Sequence, residues 1–91
     1  MRKLPTTMTT KEGSVLCVAI KPYSSNKELS IIEFRHEGGA LCSQYFLSTF
    51  MAIPDKKGLC LHSGRWNNQS INADQVTICK MLIKSHELSN G

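Results

Sequence analysis

Cysteine and histidine are the residue types in this chain with the most versatile chemistry, because both bind metals and both act in catalysis. Cys60 and His62 are separated by one residue, and Cys42 and His36 add two further zinc-ligand types. A structural zinc site normally uses two close ligand pairs, each delivered by one tight turn. Only one close pair is present here, so the sequence predicts no metal site and no cofactor.

The cysteines are also the candidate nucleophiles of the chain, at Cys17, Cys42, Cys60 and Cys79. A reactive thiol needs an electropositive, partly exposed setting that stabilises the thiolate. Each of these cysteines is instead flanked by aliphatic or aromatic residues, which is typical of thiols that behave as small buried hydrophobic groups. The pattern favours free, unreactive thiols in a reducing compartment.

Acidic residues offer no better constellation for catalysis. The seven Asp and Glu residues are scattered along the chain, and Glu33 is expected to face solvent on an open sheet. Gly38 and Gly39 lack the later glycines and the basic residue of a phosphate-binding loop. The sequence therefore predicts a non-enzymatic protein.

Basic side chains close to aromatic ones are the remaining functional signal. Proteins that bind single-stranded nucleic acid combine a cationic track with aromatic platforms on which bases stack. The predicted contact residues are Lys21, Tyr23, Lys27, Arg35, Lys56, Lys57, Arg65 and Trp66. The lysines and arginines would neutralise phosphates, and the two aromatic residues would stack on bases or anchor a partner.

The overall charge is compatible with such a ligand but does not select it. The formal net charge is +4 and the isoelectric point about 9.0. The alternative is a protein-binding inhibitor or regulator that acts on a larger partner, through an edge strand or through exposed anchor side chains. The sequence does not determine the oligomeric state, but small open sheets with an apolar edge often dimerise, so a homodimer is a further alternative.

The length of 91 residues predicts one small domain with a modest core. Hydrophobic residues make up 41% of the chain, which is too many for a wholly disordered protein. Residues 1–13 contain a proline, several threonines and no apolar periodicity, and they predict a flexible basic arm. Residues 14–91 then form a single α+β domain.

Runs of aliphatic and aromatic residues separated by turn residues predict a sheet. Residues 14–21, 29–35 and 59–62 are interpreted as strands, the first two joined as an antiparallel hairpin. Residues 40–53 are ambiguous, because their aromatic residues favour a strand whereas apolar residues spaced by four favour a helix. We interpret them as a strand, with a ββαβα arrangement as the alternative.

The segment from Ile71 to Leu88 predicts an amphipathic helix. Asn72 is a good N-cap, and Gln75 follows at the spacing of a capping box. The apolar stripe consists of Val76, Cys79, Leu82 and Ile83. A helix of this kind needs an apolar surface to cover.

These elements together predict a small antiparallel sheet, a four-stranded meander, with one C-terminal amphipathic helix packed on one face. No apolar run approaches the ~20 residues that a membrane-spanning helix needs. The first residues lack the apolar core of a secretory signal. We therefore expect a cytoplasmic protein with no membrane partner.

Overall fold

A computed structural model of the protein describes residues 3–62 and 68–90, with the side chains of residues 89 and 90 excluded. The elements in chain order are β1 (Thr6–Thr9), β2 (Val15–Tyr23), β3 (Asn26–His36), β4 (Leu41–Phe46), α1 (Leu47–Met51), β5 (Leu59–Leu61), β6 (Gln69–Ile71) and α2 (Ala73–Asn90). In these described ranges no helix is both long enough and apolar enough to cross a lipid bilayer.

The main sheet has four antiparallel strands in the order β1-β2-β3-β4, so each strand pairs with its neighbour in sequence. The C-terminal helix α2 packs against this sheet. The predicted class, an α+β domain with a four-stranded antiparallel meander and one covering helix, is therefore confirmed. One of the four strands differs from the prediction, since Thr6–Thr9 takes the place expected for residues 59–62.

The first strand of the sheet lies in the segment that composition predicts to be a flexible arm. Thr6–Thr9 pairs with Val15–Val18, and Met8 is 7% exposed within the core. The expectation of a loose arm is therefore corrected for these residues. Threonine is β-branched and suits an edge strand, and the single Met8 side chain supplies the apolar contact that anchors it.

The ambiguous segment contains both structures that its pattern suggests. Its first half is strand β4, and its second half is the short helix α1. Phe50 of α1 is fully buried, with its ring centroid 6.0 Å from that of Phe34 and 6.0 Å from that of Tyr45. The change from strand to helix turns Phe50 under the sheet, while Phe46 at the end of the strand stays exposed.

The predicted fourth strand does not join the main sheet. Strand β5 pairs instead with β6 in a separate two-stranded sheet, with Leu59 opposite Ile71. Hydrogen bonds join this sheet to the β1–β2 turn: Lys11 N donates to Ser70 O at 3.0 Å, Ser70 N donates to a carboxylate oxygen of Glu12 at 3.0 Å, and Thr10 Oγ1 donates to Gln69 Oε1 at 3.3 Å. The meander is completed by β1 rather than by β5.

Helix α2 begins with the predicted capping box. Asn72 N donates to Gln75 Oε1 at 2.9 Å, and Gln75 N donates to Asn72 Oδ1 at 2.9 Å. The four residues of the predicted apolar stripe are each no more than 2% exposed, namely Val76, Cys79, Leu82 and Ile83. The prediction of the buried helix face is confirmed.

Candidate ligand surface on the uncovered face of the sheet

The two faces of the main sheet have different surroundings. One face carries Leu16, Val18, Ile32 and Phe34, which are fully buried in the core under α1 and α2. Side chains alternate between the faces of a strand, so the residues between these point to the opposite side. The buried residues of α1 and α2 belong to the core on the first side, and we call the opposite side the uncovered face.

Cross-strand register places the polar residues of the uncovered face close together. In the β2–β3 pair, Cys17 lies opposite Arg35, Ala19 opposite Glu33, and Lys21 opposite Ile31. In the β3–β4 pair, Glu33 lies opposite Gln44, and Ile31 lies opposite Phe46. Glu33 therefore occupies the middle of the face.

Glu33 is buried although it lies on this open side, contrary to the expectation that it faces solvent. Lys21 Nζ lies 3.2 Å from Glu33 Oε1. Arg35 donates from Nε to Oε1 at 3.0 Å and from Nη2 to Oε2 at 3.3 Å. The two cationic side chains lie over the carboxylate, whose side chain is only 7% exposed, while Lys21 and Arg35 remain 51% and 34% exposed.

The same contacts hold Glu33 in its charged form. The hydrogen bonds from Arg35 lower the pKa of Glu33 below its usual value of 4.5, Lys21 adds to the effect, and burial opposes it. The cluster of Lys21, Glu33 and Arg35 therefore carries two positive charges and one negative charge at neutral pH. Its net charge is one positive charge.

An aromatic pocket adjoins this charged cluster at the β4 edge. The rings of Tyr23 and Phe46 meet edge to face, with centroids 5.0 Å apart and an interplanar angle of 76°. A cavity of about 260 Å³ opens beside them, and its other walls are Ile31, Gln44, Tyr45 and Thr49. Burial raises the pKa of Tyr45. None of the described residues that line the cavity is charged.

The predicted contact residues divide into separate groups. Lys21, Tyr23 and Arg35 share the uncovered face, as described above. Lys27 is exposed in β3 beside the β2–β3 turn. Arg65 and Trp66 lie outside the described residues.

Lys56 and Lys57 lie at the other end of the sheet. Lys56 has a positive φ of 63° in the loop before β5 and lines a shallow groove with Asn72 at the start of α2. Gln75 of the first turn of α2 donates to Thr9 O, which places this end of the helix beside the start of β2. Strand β2 has nine residues and spans about 26 Å, so these lysines are remote from Lys27.

The predicted contacts did not include several residues of the uncovered face, among them Ile31, Glu33 and Phe46. Alternation along β3 already places Ile31 and Glu33 on the side of Arg35, so that signal was present in the sequence. Phe46 could not be assigned in the same way, because the chain changes from strand to helix directly after it.

The cysteines differ in their surroundings. Cys42 and Cys79 are buried, Cys17 is half-buried, and Cys60 is exposed, although its aliphatic neighbours predicted burial. Burial raises the pKa of the Cys42 thiol. Within residues 3–62 and 68–88, no three His, Cys, Asp or Glu side chains are grouped closely enough to hold a metal ion.

Comparison of the chain with protein-family models gives no matching family, and comparison with curated proteins and with solved structures gives no match either. The geometry defines a small α+β domain with a helix packed against its four-stranded antiparallel sheet.

Proposed function

We propose that this protein is a non-enzymatic binding module that docks a protein partner on the uncovered face of its sheet. The observation that carries the proposal is the Lys21–Glu33–Arg35 cluster, an almost neutralised ionic centre next to an aromatic pocket. We infer that the partner is larger and that the protein regulates it, because the domain is small. We infer a cytoplasmic location because its four cysteines are free thiols.

The charge distribution favours protein over nucleic acid as the ligand of this face. Binding of nucleic acid depends on cations that neutralise phosphates and release counterions. Here Glu33 already accepts from Lys21 and Arg35, so one of their two positive charges is compensated. Only one uncompensated positive charge is left for a ligand.

Exposed apolar side chains point to the same conclusion. Leu41 and Phe46 of β4 are 41% and 39% exposed, and Leu29 of β3 is 45% exposed. Phe46 also borders a second groove with Leu29, Leu47 and Glu28. The cores of protein interfaces are enriched in aromatic and aliphatic groups and depleted in net charge, as this face is.

Binding of single-stranded nucleic acid is the second candidate, supported by two observations. Tyr23 lies on the same face as Lys21 and Arg35, which is the arrangement of a stacking platform beside cations. In addition, Lys27, Lys56 and Lys57 form no ion pair in the described part of the chain. These lysines are spread over both ends of the sheet rather than along one track.

The test is affinity capture with a matched pair of surface variants. Phe46→Glu places a charge on the uncovered face, and Met81→Glu places the same charge on the exposed side of α2, where Met81 is 53% exposed. We expect wild type and Met81→Glu to retain one protein from nuclease-treated lysate at about 0.5 M salt, and Phe46→Glu to lose it. Circular dichroism checks that both variants are folded.

Titration with labelled single-stranded oligonucleotides completes the test. Binding at low salt that weakens steeply as salt is added, together with no protein retained by the face, would replace the protein proposal by the nucleic-acid one. Retention of the same protein by Phe46→Glu would place the binding surface elsewhere on the molecule.

A further inference from the structure

We propose that the partner segment docked on this face presents one large apolar side chain and, two residues away, a carboxylate. The apolar side chain enters the cavity beside Tyr23 and Phe46, and the carboxylate binds Lys21 and Arg35. This inference rests on the proposed protein-docking function and specifies the chemistry of the partner.

The hydrogen-bond donors that Lys21 and Arg35 do not use within the cluster are the reason for proposing a carboxylate on the partner. A guanidinium has five N–H donors, and Arg35 uses three of them, two on Glu33 and one from Nη1 to Gly39 O at 2.8 Å. An ammonium has three donors, and Lys21 uses one on Glu33. Four donors on these two partly exposed cations therefore form no hydrogen bond within the described residues, and the cluster keeps one net positive charge.

The size and the lining of the cavity are the reason for proposing an apolar side chain on the partner. Its volume of about 260 Å³ suits a single side chain rather than a drug-sized ligand, whose pockets start at roughly 300 Å³. Tyr23, Ile31 and Phe46 provide apolar walls, and Gln44 and Thr49 provide polar groups at the rim. Binding energy at interfaces concentrates in anchors of this kind, where an apolar side chain fills a partner's pocket.

Register sets the spacing between the two features. Lys21, Ile31 and Phe46 lie in one row across three strands, and neighbouring strands are about 4.8 Å apart. Lys21 Nζ and Arg35 Nε both lie next to Glu33 Oε1, at 3.2 Å and 3.0 Å, and Glu33 is two residues from Ile31 along β3. Residues i and i+2 of a strand lie on one face about 7 Å apart, and an extended peptide aligned with β3 places its own side chains i and i+2 at the same spacing.

The experiment selects binders from a displayed library of random 12-residue peptides on the immobilised full-length protein. We expect enrichment of an aliphatic or aromatic residue followed two positions later by Asp or Glu. A synthetic peptide from the enriched set should bind about tenfold more tightly than its Asp→Asn or Glu→Gln analogue. Phe46→Glu should abolish its binding.

Matched lysine variants connect the carboxylate preference to the cluster. In Lys21→Gln the tenfold preference for the acidic peptide should fall to about threefold or less, since Arg35 alone remains. In Lys84→Gln, a substitution on the exposed side of α2, the tenfold preference should persist. Both variants keep the ion pair between Arg35 and Glu33.

The outcomes separate this inference from the function on which it rests. Peptides that lose binding in Phe46→Glu but show no preference for a carboxylate overturn the inference and leave protein docking on the uncovered face intact. Peptides insensitive to Phe46→Glu, or a library without enrichment, overturn both. Displacement of the acidic peptide by single-stranded oligonucleotide, with steep salt dependence, assigns the donors to phosphate and also overturns the inference.

Discussion

Arg35 donates two hydrogen bonds to Glu33, from Nε to Oε1 at 3.0 Å and from Nη2 to Oε2 at 3.3 Å. The two residues are two positions apart on β3, so both side chains lie on the uncovered face. A bidentate pair of this geometry fixes the direction of both side chains. It also keeps a carboxylate at the centre of a face that the basic composition alone would make cationic.

The first prediction concerns the pH dependence of stability. The pKa of Glu33 is lower in the folded protein than its usual 4.5, so its pairing stabilises the fold above that pH and is lost as the pH falls through the lowered value. We expect Glu33→Gln to lower the free energy of unfolding by about 1 kcal/mol at pH 7, because Lys21 and Arg35 are partly exposed. Urea denaturation between pH 7 and pH 3 measures the difference, which should shrink below pH 4.5.

Glu28→Gln is the control for this measurement, since Glu28 is exposed and forms no ion pair in the described residues. It should change stability little at any pH. A deficit in Glu33→Gln that stays constant down to pH 3 would contradict the role of the ion pairs.

The second prediction concerns the start of α2, where Asn72 and Gln75 cap each other. Asn72→Ala leaves the amide of Gln75 without its acceptor and should lower the free energy of unfolding by about 1 kcal/mol. Asn72→Ser retains a side-chain oxygen at the cap and should lose much less. Thermal or urea denaturation of the two variants distinguishes them, and equal losses would show that the cap does not contribute.

The third prediction concerns the close approach of Gly58, the residue before β5, to strand β6. A Cβ atom on Gly58 would lie 2.5 Å from the backbone oxygen of Ile71, which cannot move aside as a flexible side chain would. We expect Gly58→Ala to destabilise the fold by about 1–3 kcal/mol. Gly38→Ala is the control, because nothing lies within 4 Å of its added methyl group. Similar stability of the two variants would contradict the close packing of β5 and β6.

The fourth prediction concerns the reactivity of the thiols. An alkylating reagent at neutral pH should modify exposed Cys60 first and half-buried Cys17 more slowly. Cys42 and Cys79 should react only on unfolding, because both are buried and burial raises the pKa of Cys42. Mass spectrometry of digested protein gives the order, with Cys60→Ser as the control for the first site. Early modification of Cys79 would contradict its place in the core.

The sequence was most informative where the signal is local. The cap at Asn72 and the helical spacing of Val76, Cys79, Leu82 and Ile83 predicted both the start of α2 and the face that it buries. Local signals of this kind depend on residues within one or two helical turns, so they can be read directly from the chain. The presence of an antiparallel sheet under that helix followed from the strand patterns in the same way.

Strand partners and surface clusters were not predictable on that basis. Nothing local distinguishes Thr6–Thr9 from a polar arm, and its pairing with β2 depends on Met8 reaching a core assembled from distant residues. Likewise, β5 was predicted as a strand but its partner β6 was not, because pairing is set by which edge the folded chain leaves accessible.

The sequence by itself determined that this protein is a small basic α+β domain with a capped C-terminal helix, because helix capping and apolar periodicity act between near neighbours. Only the tertiary structure decided that Lys21 and Arg35 share one carboxylate and that Phe46 joins Tyr23 beside them. Those contacts depend on the register of three strands, and register is set by how the whole core packs.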